Sequence, residues 1–500
     1  MVRSNLGGWR NRLPAGLSLS ARGPFQERLA ARLFEPVDAS SLVFFRVAFG
    51  VIMLVEVWRF WSHGWIERYY IAPDFLFKYH GLEWIEPWPG SGMYWHFGLL
   101  AVLALMIAAG ALYRLAAILF FFAFSYVFLL DQARYLNHFY LVILVAFLMV
   151  LAPANRSLAV DAALRPRTRS ATVPAWSVWL FRLQFEVVYL YAGIVKLNPD
   201  WLRLEPMGMW LARRDDWALI GPLFNQDWVV AIAAYGSIAL HLVGAPLLLF
   251  RRTRGPVIVV YFTFHLMNHF MFNIGIFPWL TMAATLMFLE PDWPRRALRR
   301  TLRWADRALP RPSRRQAMAE PGTATAGQAP SRAAKWTLFV FLGAWLMFQV
   351  LVPLRHLLYP GSPSWNEEGH KFAWQMKLRE KRAFAMFRVR DPASGERWYV
   401  LPQQLLLPHQ ARKVGGRPEM ILQFAHHLAD VWAKEANIKG VEVRARVCAS
   451  LNGRKPALLI DPHRDLARIE HSVRHADWVL PLRQPFERPP GRTHRRDLRC

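Results

Sequence analysis

The residues of this chain best able to do chemistry sit inside apolar runs. In "LYAGIVKLNPDW", residues 190–201, an apolar stretch passes the small pair Ala192-Gly193, reaches Lys196 and stops at Asn-Pro-Asp-Trp. Arg182, Glu186, Tyr189, Gly193 and Lys196 follow one another at spacings of 4, 3, 4 and 3 residues, which on a helix is a single face. Two readings compete. In one, Arg182 and Glu186 form an ion pair and the lysine snorkels to a membrane surface. In the other, the stripe lines an internal cavity and ends in a base at its outer mouth, with the glycine leaving room beside the lysine. A base must present a neutral amine at working pH, so the setting of Lys196 decides between them. Pro199 disfavours helix at Asn198, which predicts a helix ending beside Lys196.

Two further stretches carry polar groups in apolar surroundings. "YLNHFYL" places Asn137 and His138 at the start of one apolar window, and "YFTFHLMNHFMFNIGIF" puts His265, Asn268 and His269 on one helical face. A His-x-x-x-His spacing can hold a metal. Here "HLMNH" has no carboxylate within it and no clear second box at equal depth, so satisfied or substrate-binding histidines are the expectation, with no metal. "AHH" at 425–427 is expected on a helix surface, and Arg46 and Glu56 as structural partners within a bundle.

These residues need elements that hold them in an apolar medium. The chain has 500 residues, 54% of them hydrophobic, and a formal net charge of +27. The two figures agree if apolar spans alternate with basic loops. Apolar windows fall at about 43–61, 96–113, 115–131, 136–152, 176–196, 229–250, 256–275, 277–290 and 336–356. Basic segments lie before the first window and after the fourth, sixth and eighth, including "RRTR" at 251–254 and "RRALRRTLRWADRALPRPSRR". The intervening loops are mixed or nearly neutral. About nine spans, with the N-terminus cytoplasmic and the C-terminal region exoplasmic, satisfy the positive-inside rule at every boundary. Lys196, Asn137-His138 and Asn268-His269 then all fall in the exoplasmic half of the bilayer. The positive charge is split among loops and tails with no nucleic-acid-binding motif, so a nucleic-acid partner is not expected. The first forty residues lack a short apolar core with a small-residue cleavage site, so no cleaved signal peptide is expected. There is no internal repeat and no coenzyme-binding glycine motif. Whether Cys448 and Cys500 pair is open.

The fold class expected is a polytopic α-helical membrane protein with a smaller exoplasmic α+β, strand-rich C-terminal domain. Residues 1–40 read as a basic cytoplasmic tail, 41–290 as a transmembrane catalytic domain and 291–335 as a basic cytoplasmic linker. Residues 336–356 read as the last span, 357–482 as the exoplasmic domain and 483–500 as a disordered basic tail. Within the domain, "FAMFRVRDPASGERWYVL" predicts two strands about a turn, and "PEMILQFAHHLADVWAKE" a helix starting at Pro418. "VEVRARVCASLNGRKPALLI" carries an Asn-Gly hairpin signal.

Taken in order, "SLVFFRVAFG", "YLNHFYL", "FRLQFEVVYLYAGIVKLNPDW", "FHLMNHFMFNIGIFPW", "PDWPRR", "WNEEGHKFAWQMKLREK", "EMILQFAHHL", "SLNGR" and "LIDP" resemble the vitamin K-dependent γ-glutamyl carboxylase family, in its bacterial form. The first part is shared with a broader group of horizontally transferred transmembrane domains; the blocks after residue 360 favour the carboxylases. The resemblance implies an enzyme that oxygenates vitamin K hydroquinone with O2 to the epoxide. The base so produced removes a γ-proton from a protein-bound glutamate, which then takes CO2. The family's "AG-x-x-K-L" context implies that Lys196 deprotonates the hydroquinone. Its "NH-x-Y" motif implies that His138 stabilises the oxygenated quinone. Asn137, Arg182, Tyr189, Gly193, His265 and Asn268 are the expected quinone- and substrate-binding residues. Animal members carry a lysine pair where Val195-Lys196 stands here, and a longer exoplasmic domain. The implied partners are the lipid bilayer (a bacterial inner membrane), a quinone and a glutamate-containing peptide or protein. A quinone- or lipid-binding membrane protein or transporter without catalysis is the alternative, and a metal-dependent membrane hydroxylase a further one.

Overall fold

A computed structural model describes residues 25–272, 274–308, 331–487, 498 and 500. Most of the two terminal tails and the Pro/Gly-containing part of the linker lie outside the described residues, including the expected disorder of the last eighteen. The described chain is mostly helical, and every apolar window falls on helix. Among the described residues, five helices are long and apolar enough to cross a membrane: Ser40–Ser62, Gly92–Ala109, Asp227–Leu247, Arg254–Phe272 and Arg332–Leu358. Tyr113–Leu129, Asn137–Leu151 and Phe277–Phe288 are apolar but shorter, and the 20-residue Ala175–Ile194 carries buried Arg182 and Glu186. On length and apolarity together the count is five, short of the nine that the charge alternation asks for. The short helices are packed largely on protein, and a helix buried in a bundle need not match the bilayer thickness.

Ser40–Ser62 is the hub of the bundle. Its Phe45, Phe49, Met53 and Phe60 are buried in one continuous core with the helices around it. At Gly50 an added Cβ would fall 2.6 Å from the Ala104 carbonyl oxygen, so the backbones of Ser40–Ser62 and Gly92–Ala109 cross in contact and only glycine fits. The buried charges of this helix are structural, as expected. Arg46 donates to the carbonyls of Ala154 (2.9 Å) and Leu158 (2.5 Å), and Glu56 pairs with Arg59 at 2.6 Å. The last helix, Arg332–Leu354, is tied to Ala175–Ile194 by Trp345 Nε1 donating to Gln184 Oε1 at 3.0 Å. It leaves Val340, Met347 and Leu351 more than half exposed, an apolar face suited to lipid.

The C-terminal region holds a four-stranded antiparallel sheet in the order Arg397–Val400, Lys381–Arg390, Glu442–Leu451, Ala457–Leu458. Both expected hairpins form, the second turning through Asn452 and Gly453 in the left-handed region (φ 51° and 79°). Pro418 starts the helix Pro418–Glu435, which buries Ile421, Phe424, Ala425 and Leu428 against the sheet. His426 and His427 are packing residues of that helix rather than a bare surface. His426 Nε2 bonds the Leu466 and Ile469 carbonyls, and His427 stacks on Phe75 at 4.2 Å. Cys448 on the central strand is joined to Cys500 by a disulfide.

Candidate active site

Lys196 lies two residues beyond the helix Ala175–Ile194, as Pro199 predicted. The chain turns at once because Asn198 caps the next short helix, its side-chain oxygen accepting from the amides of Asp200 (3.2 Å) and Trp201 (3.1 Å). That turn folds the lysine inwards. Its Nζ donates to the Ala192 carbonyl and lies 5.4 Å from the centre of the Trp201 ring. The residue is 6% exposed, and among the described residues no carboxylate pairs with it. A snorkelling lysine carries its ammonium out to water or headgroups; this one is buried against carbonyl and indole. Gly193, one turn back, leaves no open space beside the lysine; it lets Leu242 and His241 pack closely against the helix. A Cβ there would meet Leu242 Cδ2 at 2.7 Å and His241 Cβ at 3.0 Å.

From the lysine a line of rings runs through the bundle. His241 is buried, with Nδ1 2.6 Å from the Ser237 carbonyl. It sits on a π-helical turn, Leu240–Gly244, the kind of bulge that often marks a functional position. Tyr189 donates to the Thr281 carbonyl at 3.2 Å, bonds the Thr285 hydroxyl at 2.7 Å, and stacks on Tyr261 with centroids 4.6 Å apart. His265 lies 5.9 Å from Tyr261 and 6.2 Å from Phe277. Phe277 in turn lies 6.3 Å from His138. Both ring nitrogens of His265 are buried without a hydrogen-bond partner among the described residues. Buried polar atoms are normally satisfied, so an aromatic wall with orphaned imidazole nitrogens fits a flat apolar ring bearing polar oxygens.

The His138 end of this line is covered by the C-terminal region. The segment 366–381 reaches back onto the bundle as a strap. The Phe372 amide donates to the Tyr135 hydroxyl at 2.6 Å, which itself donates to Asn137 Oδ1 at 2.9 Å. Asn137 Nδ2 reaches the Gln375 carbonyl at 3.3 Å. Trp374 is fully buried beside Tyr140, centroids 5.0 Å apart, and Lys377 lies over Phe272 at 4.5 Å. Glu367, Phe372, Trp374 and Lys377 all take positive φ, a concentration of left-handed non-glycine residues that gathers where geometry serves function. Arg59, paired with Glu56, and Arg134 and Lys377 are within electrostatic reach of His138. A second bridge joins the turn behind Lys196 to the hairpin. Arg454 grips Asp200 with both guanidinium nitrogens, at 2.5 and 2.7 Å, and Asn452 Nδ2 donates to the same carboxylate at 2.7 Å.

The expected residues divide accordingly. Lys196, Gly193, Tyr189, His265 and His138 lie along the line of rings, and Asn137 anchors the strap beside it. Asn268 is half-buried one turn from His265. Arg182 stands about four turns from the lysine and donates to the Met287 and Leu289 carbonyls, both at 2.8 Å. It forms no ion pair with Glu186, whose Oε2 is buried without a partner. Sequence reasoning missed His241, although a histidine in "IALHLVG" is as exceptional at that depth as His265. It also missed Trp201, Phe277 and the strap, whose roles depend on contacts between distant segments. A separate cavity of about 550 Å³ lies between the loop around Tyr79 and the C-terminal domain, lined by Arg355, Glu367, His370, Lys371, Glu419 and His471 among others. None of the expected site residues lines it.

Two family models match the chain. The HTTM domain covers residues 34–293, and the lumenal domain of vitamin K-dependent gamma-carboxylase covers residues 334–485. No solved structure matches the chain.

Proposed function

Since the chain belongs to the vitamin K-dependent gamma-glutamyl carboxylase family, we propose that it is a membrane enzyme coupling vitamin K hydroquinone oxidation to γ-carboxylation of protein-bound glutamate. The observation that carries this reading is Lys196: buried, without a carboxylate partner, in the "AGIVKL" context and at the end of an aromatic line. The hydroquinone supplies the reducing equivalents, one atom of O2 entering the epoxide and the other leaving as water. Lys196 Nζ takes the hydroxyl proton. The aromatic walls of Tyr189, Tyr261 and Phe277 hold a flat ring and keep water out, and the free nitrogens of His265 orient its oxygens. His138, near three cations, stabilises negative charge as it develops. At the glutamate a C–H bond is exchanged for a C–C bond to CO2, the proton leaving to the base. Arg182, with its guanidinium satisfied by backbone carbonyls, is left out of the quinone site.

The reading places the C-terminal domain on the exoplasmic side. The basic loops support this, and so does the Cys448–Cys500 disulfide, a bond that persists in oxidising compartments. The test is to supply purified protein with reduced vitamin K and O2, with and without CO2 and glutamate peptides, and to measure epoxide and carboxyglutamate. Epoxide with carboxyglutamate supports the full reaction, and epoxide alone confines the enzyme to its quinone half. Bound quinone without turnover makes the protein a quinone carrier, and bound iron with substrate hydroxylation makes it a hydroxylase; either overturns the proposal.

A further inference from the structure

The segment expected to be a linker contains a helix, Trp293–Ala308, unlike any other in the protein. Its root is fixed to the bundle. Trp293 packs edge-on to Phe44 at 4.9 Å, the Ser41 amide donates to the Pro291 carbonyl at 3.0 Å, and Arg295 pairs with Asp38 at 3.0 Å. Leu298 is 53% and Leu302 47% exposed. Successive residues turn by about 100°, so Ala297, Leu298, Thr301 and Leu302 share one half of the helix, and Arg295, Arg296, Arg299 and Arg300 the other. Arg295 and Arg296 have carboxylate partners in Asp38 and Asp292. Arg299 and Arg300 are exposed and pair with no carboxylate among the described residues.

We propose that this helix lies in the plane of the membrane surface at the basic end of the bundle, its leucines in the acyl boundary and its arginines on the phosphates of anionic phospholipids. Three observations favour lipid as the occupant. The helix begins at Trp293, five residues after the end of the apolar helix Phe277–Phe288, so its root is held at the edge of the apolar layer. Its exposed faces are apolar and cationic, the division that an interfacial helix requires. Arg254, buried on the neighbouring turn, fixes Glu290 just ahead of the helix at 3.2 Å, and the exposed Arg251 beside it, 3.7 Å from Glu290, adds positive charge next to the root. This inference uses the membrane reading alone and stands whether or not the protein turns over quinone.

The test uses the full-length protein carrying Leu298→Cys. The native cysteines are joined in a disulfide, so a thiol-directed spin label finds only the introduced residue. The labelled protein is placed in nanodiscs of phosphatidylcholine alone or with added phosphatidylglycerol, and label accessibility to oxygen and to a water-soluble nickel chelate is compared. With phosphatidylglycerol, the label should gain oxygen contact and lose nickel contact, and high salt should reverse the change. Each arginine near an anionic surface strengthens attachment about fivefold, so Arg299→Gln with Arg300→Gln should weaken it about twenty-five-fold and return the label to nickel. Equal nickel access in both compositions, or equal shielding without anionic lipid, overturns the proposal. Leu302→Cys gives the same readout if the first label site disturbs insertion.

Discussion

Replacing Lys196 asks whether its charge or its basicity matters. Arginine keeps charge and length but stays protonated, so it cannot serve as a base. Lys196→Arg and Lys196→Ala should both insert and retain quinone, yet both should lose epoxidation. A small exogenous amine should partly restore the alanine variant, entering the space that truncation of the lysine side chain leaves. Near-normal epoxidation by the arginine variant would return the lysine to an anchoring role. His138 makes a different prediction. If it stabilises developing charge, His138→Ala should lower turnover about 100-fold, the effect of losing a positioned donor, while quinone binding changes less. Equal losses in binding and rate would make it a wall of the pocket only.

At the scale of elements, the two bridges from the C-terminal region hold the site's outer end in place. The Asp200–Arg454 pair is buried and doubly bonded. Removing one partner of such a pair strands the other and costs about 3–5 kcal/mol, whereas replacing both is far milder. Asp200→Asn should therefore lower thermal stability sharply, and adding Arg454→Met should recover much of it. A double variant no more stable than the single would show that the carboxylate holds the turn by other means. In the strap, Arg379 lies 2.6 Å and Lys381 3.4 Å from Glu367. Burial alone would push the Glu367 carboxyl up, but these two cations hold it well below the usual carboxylate range. A depressed folded-state value gives stability that is full above the unfolded value and lost as pH falls through it. Glu367→Gln should thus melt well below the parent at neutral pH, and the gap should narrow as pH drops below about 4. A gap independent of pH would remove the ion pair as its cause.

For the whole molecule, the orientation across the membrane is the claim most open to a direct check. Ser394 sits exposed in the turn between two strands of the C-terminal sheet. Ser394→Cys in intact cells should react with a membrane-impermeant thiol reagent, because the native cysteines are already paired. Labelling only after the membrane is opened would invert the topology, and with it the shared exoplasmic depth of Lys196, His138 and Asn268.

What could be read from the chain alone was whatever is local and periodic. The apolar windows, the hairpin at Asn452-Gly453, the helix starting at Pro418 and the helix end beside Lys196 are each set by residues within a few positions of one another. The face shared by Tyr189, Gly193 and Lys196 follows from helical period in the same way. The burial of Asn137–Leu151 and Phe277–Phe288 did not follow, because their neighbours come from segments that no window of sequence contains. Nor did the difference between Arg182 and Lys196. Both are cations at helical spacing in the sequence, but one is satisfied by the carbonyls of Met287 and Leu289, about a hundred residues away. The other is turned under Trp201 with no counter-charge. Periodicity decides which way a side chain faces along its own helix; only the packing of distant segments decides what it finds there.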